Sequence, residues 1–292
     1  MASIEPIGTS LGATIRGIDL AEPLSDHDRG IVVLALGRYG LVRFPDQRLE
    51  ARHLAAFAAR FGEVQIARGR ASKFVEPGLP EVSILSNIVE NGQPIGSVDI
   101  GALWHTDMIY NSVPGFANVL YALEVPYREG QARGDTLFAD LQLAYDSLPD
   151  GAKAKLEGVR GVYTGEEYGG QSAGVPVSKP RLYHPLVMKH PISGRKVLYC
   201  DPMHIASVEG CPDGEGEAMA RFLRDYVVEP RFQFAFRWAR YDVLIWDNLR
   251  TLHRAVSDYS ADEHRLIKRC QVLGDKVFDP DFIRSAQFAA AA

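Results

Sequence analysis

Phe232, Phe234, Phe236 and Trp238 occupy every second position and alternate with polar or small residues. A period of two is the mark of an extended chain with one face against a core. Further strand-like stretches lie at 83–85, 117–123, 196–200, 243–246 and 266–273. Turn signals at Pro114-Gly115, Ser193-Gly194 and Pro212-Asp213-Gly214 punctuate them. Four stretches instead carry helical period. Ile31, Leu34 and Ala35 follow a Ser25-Asp26 start, and Leu54, Phe57, Ala58 and Phe61 are closed by Gly62. Leu141, Ala144, Tyr145 and Leu148 precede Pro149, while Met219, Phe222, Leu223, Tyr226 and Val227 stop before Pro230. Helices and strands do not alternate regularly, which disfavours βαβ winding. The pattern predicts an α+β chain that is mostly β, a barrel or sandwich wrapped by helices.

The 292 residues are 46% hydrophobic and 24% charged, enough apolar side chain for a large core and too much for global disorder. With no internal repeat and no Pro/Gly/Ser-rich linker, residues 1–292 read as one domain. The Gly- and Ser-containing stretch 164–180 reads as a mobile active-site loop. A net charge of −5 gives no basic footprint for nucleic acid. Three cysteines, Cys200, Cys211 and Cys270, form no C-x-x-C pair and read as free thiols in a reducing compartment. The opening MASIEPIGTSLGA lacks a basic n-region and an apolar h-region, and no apolar run nears the roughly 18 residues of a membrane span. A cytoplasmic protein without membrane contact is expected.

Chemistry concentrates at two places. In Trp104-His105-Thr106-Asp107, residues i and i+2 of an extended strand face the same way, so His105 and Asp107 can offer a nitrogen and an oxygen together. Far along the chain, Trp246-Asp247-Asn248 is followed by His253-Arg254-Ala255, then by Arg265 and Arg269. Four positions apart on a strand, the two arginines share a face with Ile267 and Gln271, opposite Leu266, Cys270 and Val272. That face is either solvated or turned into a barrel, where each guanidinium would need an anion. Two imidazoles and one carboxylate on one side of a metal leave three positions open, the facial arrangement of non-haem Fe(II) oxygenases. The open positions suit a chelating 2-oxo acid plus O₂. The distal carboxylate of 2-oxoglutarate then calls for an arginine fork and a nearby hydroxyl, which Gly134-Asp135-Thr136 can provide.

H-x-D, then G-D-T, then W-D-N with H-R-A and a closing R-x-x-x-R resembles the taurine dioxygenase (TauD/TfdA) family of Fe(II)/2-oxoglutarate-dependent dioxygenases. Gly12-Ala13 through Gly17-Ile18-Asp19-Leu20, Phe61-Gly62-Glu63, His184-Pro185-Leu186-Val187, His190-Pro191 and Ser193-Gly194-Arg195 extend the resemblance over the whole chain in order. It implies a double-stranded β-helix, or jelly roll, with flanking helices, and often a homo-oligomer, dimer or tetramer. It implies His105, Asp107 and His253 as iron ligands, Thr136 and Arg265 as partners of 2-oxoglutarate, and Arg269 as a contact to an anionic substrate. Relative to the taurine-specific pattern, one extra residue falls within 260–264.

The chain also departs from taurine-specific members. Where they carry H-x-H after F-G-E, and Asn three positions before W-H, this sequence reads Gln65-Ile66-Ala67 and Gly101. The implied substrate is a small organic acid other than taurine, larger or more apolar. His204 either lines the substrate pocket or is a loop histidine, and Asn87 either reaches the active site or belongs to a loop. His184 and His190 read as structural, Trp104 and Trp246 as packing beside the iron strands, Cys270 as a buried inert thiol, and Glu215 and Glu217 as helix-start acids. The outcome is hydroxylation, with C–heteroatom cleavage where the hydroxylated carbon bears a heteroatom. Desaturation or oxidation at an amine-bearing carbon uses the same iron chemistry and stays open. Asp107 speaks against halogenation, which needs its coordination place. A non-catalytic anion- or metal-binding barrel is the alternative of another class.

Overall fold

Strand Gly115–Glu124 is buried without interruption from Gly115 to Ala122, because both of its faces are covered. Ala117, Val119 and Tyr121 pack outward under helices, while Leu120 and Ala122 turn inward with Leu244, Trp246 and Ile267. The computed structural model describes residues 2–67, 69–98, 101–164, 181–212 and 214–291. Within them, this strand sits in an eight-stranded sheet. The order is Ser3–Pro6, Ala13–Arg16, Leu41–Phe44, Val243–Asp247, Gly115–Glu124, Leu266–Leu273, Leu79–Ser86 and Val75–Glu76. Neighbours are antiparallel except Ala13–Arg16 beside Leu41–Phe44. A second sheet, Gln233–Phe236, Thr136–Asp140 and Thr251–Ala255, lies against the inner face, with Phe138 edge-on to Trp246 at 5.3 Å. The two layers form the jelly roll.

Helices α1 (Asp26–Tyr39) and α2 (Ala51–Ala59) cover the outer face through Val32, Val33 and Leu36 and through Leu54, Phe57 and Ala58. Each such side chain stabilises the fold by about 1.5–3 kcal/mol through burial. Ser25 caps α1, its Oγ accepting the Asp28 amide at 3.0 Å, and Gly40 at φ 72° ends it. Ile31 and Leu34 are only half-buried; the buried residues of α1 are instead Gly30, Val32, Val33, Ala35, Leu36 and Gly37, a broader arc than the sequence period suggests. The reason is a C-terminal helix the pattern did not announce, α6 (Pro280–Ala291), which packs on α1 with Ile283 and Ala286 buried. A Cβ at Gly30 would lie 2.4 Å from the Ala286 carbonyl, so glycine sets that close approach.

Two shorter helices, α3 (Leu141–Asp146) and α4 (Asp150–Leu156), follow the second-sheet strand Thr136–Asp140, with Asp140 capping α3 through the Gln142 and Leu143 amides. Helix α5 (Glu215–Tyr226) buries Ala220, Leu223 and Tyr226 but leaves Phe222 53% exposed, stacked on Tyr226. The alternating aromatic run is a shorter strand than its period implies. Pro230 opens a 3-10 turn that takes in Phe232, and pairing stops at Phe236. Trp238 is buried beyond the strand end. Of the stretch 164–180 expected to be a mobile loop, everything past Thr164 lies outside the described residues. Among the described residues no helix is long and apolar enough to cross a membrane.

Candidate active site

The H-x-D stretch is extended for one residue only. His105 and His253 exchange backbone hydrogen bonds of 3.1 and 2.8 Å as an isolated bridge at the edge of the smaller sheet. Asp107 then stands in a turn whose next residue, Met108, has φ 63°. The i, i+2 argument nevertheless places both side chains at one point. Thr106 between them is locked, its amide donating to Asp201 Oδ2 at 3.0 Å and its hydroxyl to the Asn248 carbonyl at 2.7 Å.

One ligand-type atom from each of His105, Asp107 and His253 lies within 4.8 Å of the other two. Asp107 Oδ1 is 3.5 Å from His105 Nε2, and its Oδ2 is 3.9 Å from His253 Nε2. All three residues are at most 8% exposed. His105 Nδ1 donates to the Leu103 carbonyl at 2.8 Å, leaving a lone pair on Nε2, which faces the cluster. Burial pushes His253 well below its usual pKa, helped by the neighbouring His105. Burial opposes ionisation of Asp107, yet His105, Arg269 and His253 hold its carboxyl well below the ordinary range. Burial also works against protonation of His105, but the hydrogen bond and charge of Asp107 outweigh it and raise the pKa. A dry carboxylate between two imidazoles is a donor set that a divalent cation completes.

Arg265 and Arg269 both turn into the space between the sheets. They line one cleft with His105, His253, Thr136 and Trp246. Cys270 and Val272 point the other way, under the helices. Arg269 Nη1 lies 3.7 Å from Asp107 Oδ2, and its buried Nε has no partner. Thr136 is buried at the head of its strand, and its Oγ1 accepts the indole N–H of Trp238 at 3.0 Å. The indole can only donate, so the threonine hydrogen is left for another acceptor. Tyr259 hydrogen-bonds Arg265, whose pKa burial lowers and that contact raises. Gly134 makes room for both. It has φ 74°, and a Cβ there would lie 3.1 Å from the Tyr259 ring and 3.4 Å from Arg265 Nε.

Asn87 stands behind Arg265. Its Oδ1 accepts the Arg265 amide at 2.8 Å, and its Nδ2 donates to the Ser260 and Glu263 carbonyls. These contacts pin the loop before the Leu266–Leu273 strand. His204 is buried, its Nδ1 3.1 Å from Asp201 Oδ2, the oxygen that also holds the Thr106 amide. Its ring meets Tyr110 at 5.4 Å. Burial and the nearby Asp107 charge push the Tyr110 phenol up to about 12.

His190 hydrogen-bonds Asp247 at 2.8 Å with both side chains fully buried, and His184 meets the Ile109 carbonyl at 2.8 Å. Both lie apart from the cluster of ligand-type atoms. Tyr110, Asn118, Asp201, Trp238 and Tyr259 belong to the surroundings of the site, but no sequence signal marked them for it. Trp238 stood only in the aromatic alternation, Asn118 in the strand-like stretch 117–123, and Tyr110 three positions after Asp107.

Among known proteins, the sequence profile of the family described as "Taurine catabolism dioxygenase TauD, TfdA family" matches residues 3–271. Pentalenolactone F synthase of Streptomyces avermitilis is 28% identical, aligned over 94% of this chain and 94% of its own. The alpha-ketoglutarate-dependent 2,4-dichlorophenoxyacetate dioxygenase of Cupriavidus pinatubonensis is 28% identical over 93% and 98%. The solved structure of AAD-2 in complex with Mn(II) and N-oxalylglycine superposes with a TM-score of 0.77, at 26% identity, over 94% of this chain and 98% of its own.

Proposed function

The chain belongs to the taurine catabolism dioxygenase TauD, TfdA family, and from that premise we propose that it hydroxylates a small anionic organic substrate other than taurine. Its enzyme class is that of an Fe(II)- and 2-oxoglutarate-dependent dioxygenase. The observation that carries the finer reading is one cleft lined by the His105 and His253 imidazoles, Thr136 and two arginines, with the Asp107 carboxylate 3.7 Å from the second arginine.

His105, Asp107 and His253 would hold iron from one side, since their donor atoms converge and the Leu103 carbonyl, by accepting from His105 Nδ1, selects the tautomer that turns the Nε2 lone pair to the cluster. Bound there, Fe(II) with 2-oxoglutarate and O₂ supplies the oxidation of a substrate C–H bond, coupled to decarboxylation of 2-oxoglutarate to succinate. Arg265 and the hydroxyl of Thr136 orient the distal carboxylate of the co-substrate. Arg269, with its partnerless Nε, takes the substrate anion. Leu120, Phe138 and Trp246 keep bulk water from the reacting region. Relatives named for 2,4-dichlorophenoxyacetate and (S)-phenoxypropionate act on carboxylic acids, which favours an acid here too. In this reading residues 1–292 work as one cytoplasmic domain, a homo-oligomer (dimer or tetramer) with Cys200, Cys211 and Cys270 unpaired.

The test is succinate release under air with Fe(II) and ascorbate, across sulfonates, phosphonates, aryloxyalkanoates, amino acids and N-acyl amino acids. Stimulation by one acidic class, taurine excepted, is expected. Stimulation by taurine or by uncharged compounds alone overturns the substrate assignment. An iron-loaded protein that forms no succinate would be a binding barrel.

A further inference from the structure

We infer that Asn118 is a positioning residue for the Asp107 carboxylate, its amide held between Asp107 Oδ2 and Asn248 Oδ1 so that Asp107 presents Oδ1 alone to the metal. The inference rests on the iron-site reading above.

Asn118, itself fully buried, lies on strand Gly115–Glu124, in register with Trp246 on one side and Gln271 on the other. Its Nδ2 donates to Asp107 Oδ2 at 2.8 Å and to Asn248 Oδ1 at 3.1 Å. The polarity of this chain is dictated from its far end. Trp246 Nε1 can only donate, and it meets Asn248 Oδ1 at 3.0 Å. Asn248 therefore turns its oxygen toward Asn118, and the carboxylate on the other side also only accepts. Turning the Asn118 amide over would set its oxygen against two acceptors. One orientation is left, with both N–H groups committed.

A packing role does not explain this arrangement. Asn118 Oδ1 and Asn248 Nδ2 are both buried without a partner. An apolar side chain at 118 would leave no such orphan on its own atoms. Two orphaned polar atoms are a local cost that apolar packing would not carry, the kind of cost found where a site needs its polar groups. Asp107 Oδ2 is tied to Asn118 and lies 3.7 Å from Arg269 and 3.9 Å from His253 Nε2, while Oδ1 faces His105 Nε2 at 3.5 Å. A carboxylate held this way occupies one coordination position instead of two. Three positions then stay open for a two-oxygen chelate and O₂.

The experiment loads the full chain with Mn(II) and follows bound metal by electron paramagnetic resonance, with 2-oxoglutarate binding read anaerobically by equilibrium dialysis. Asn118→Leu removes the donor. It should weaken Mn(II) about 10–100-fold, change the Mn(II) line shape at saturation and lower 2-oxoglutarate affinity at least about tenfold, while the metal-free chain remains folded. Asn118→Ala, which adds no bulk, covers the case in which leucine does not pack. A folded donor-less variant with wild-type Mn(II) and 2-oxoglutarate affinity overturns the inference. His105→Ala separates the two readings. If it leaves Mn(II) binding intact, the metal site itself is misplaced. If it abolishes binding while Asn118→Leu changes nothing, only the role of Asn118 falls.

Discussion

Valine in place of Thr136 keeps the side-chain shape and removes one hydroxyl, which has one job in the structure and a second in the proposed function. It accepts the Trp238 indole N–H at 3.0 Å in a buried site, and its own hydrogen is proposed to go to the co-substrate carboxylate. Losing the first leaves a buried donor unpaired, at about 1–3 kcal/mol. For a large domain that lowers the melting temperature by roughly 2–4 °C per kcal/mol. Losing the second removes a hydrogen bond to a charged group, about 1.5–3 kcal/mol. At about 1.4 kcal/mol per factor of ten, 2-oxoglutarate affinity should fall about 10–100-fold. Metal affinity and kcat at saturating 2-oxoglutarate should not change. Trp238→Phe separates the jobs, because adding it to Thr136→Val should recover part of the melting temperature and none of the affinity. The assay is anaerobic 2-oxoglutarate titration of the Fe(II)-loaded protein beside a thermal melt. A Thr136→Val protein that melts lower but binds 2-oxoglutarate like wild type would show that the hydroxyl serves Trp238 alone.

Other expectations follow from the same geometry. His105→Ala should abolish turnover through lost iron, and retained activity with bound metal would reject the cluster. Arg269→Ala should raise KM for an acidic primary substrate while leaving KM for 2-oxoglutarate unchanged; equal loss of both would remove the division of labour between the arginines. Arg250 is buried, paired to Asp140 at 3.1 Å and bonded to the Ser10, Gly37 and Arg38 carbonyls. Arg250→Ala strands a buried carboxylate and should cost about 3–5 kcal/mol in urea unfolding. Burial lowers the pKa of His184 and, more strongly, of His253. At these two histidines the folded metal-free chain therefore binds fewer protons than the unfolded one once pH falls through about 6.5. Stability from these two groups is present above that pH and declines below it. His184→Gln should flatten part of the decline in melting temperature between pH 7.5 and 5.5, and an unchanged profile would refute its share.

The residues that cluster in the cleft were legible as short-range patterns. His105 and Asp107 are two apart, Arg265 and Arg269 four apart, and alternation along 266–273 already separated Ile267 and Arg269 from Cys270 and Val272. Where pattern misled, a distant element was responsible. Helix α6 widened the buried face of α1, and Pro230 shortened the aromatic strand.

Periodicity and motif spacing are properties of neighbouring residues, so the chain alone determines which side chains share a face and which donor types come together. Hydrogen-bond partners are set by register and by which strands become neighbours. Asn118 meets Asn248 across 130 positions, Trp238 meets Thr136 across 102, and Asn87 meets Arg265 across 178. No local rule marks an asparagine in an apolar strand, or a tryptophan past a strand's end, as part of a site. Only the closing of two sheets over one interior made Asn118, Trp238 and Asn87 the groups that hold Asp107, Thr136 and Arg265, because in that dry space each polar atom must find a partner or remain an orphan.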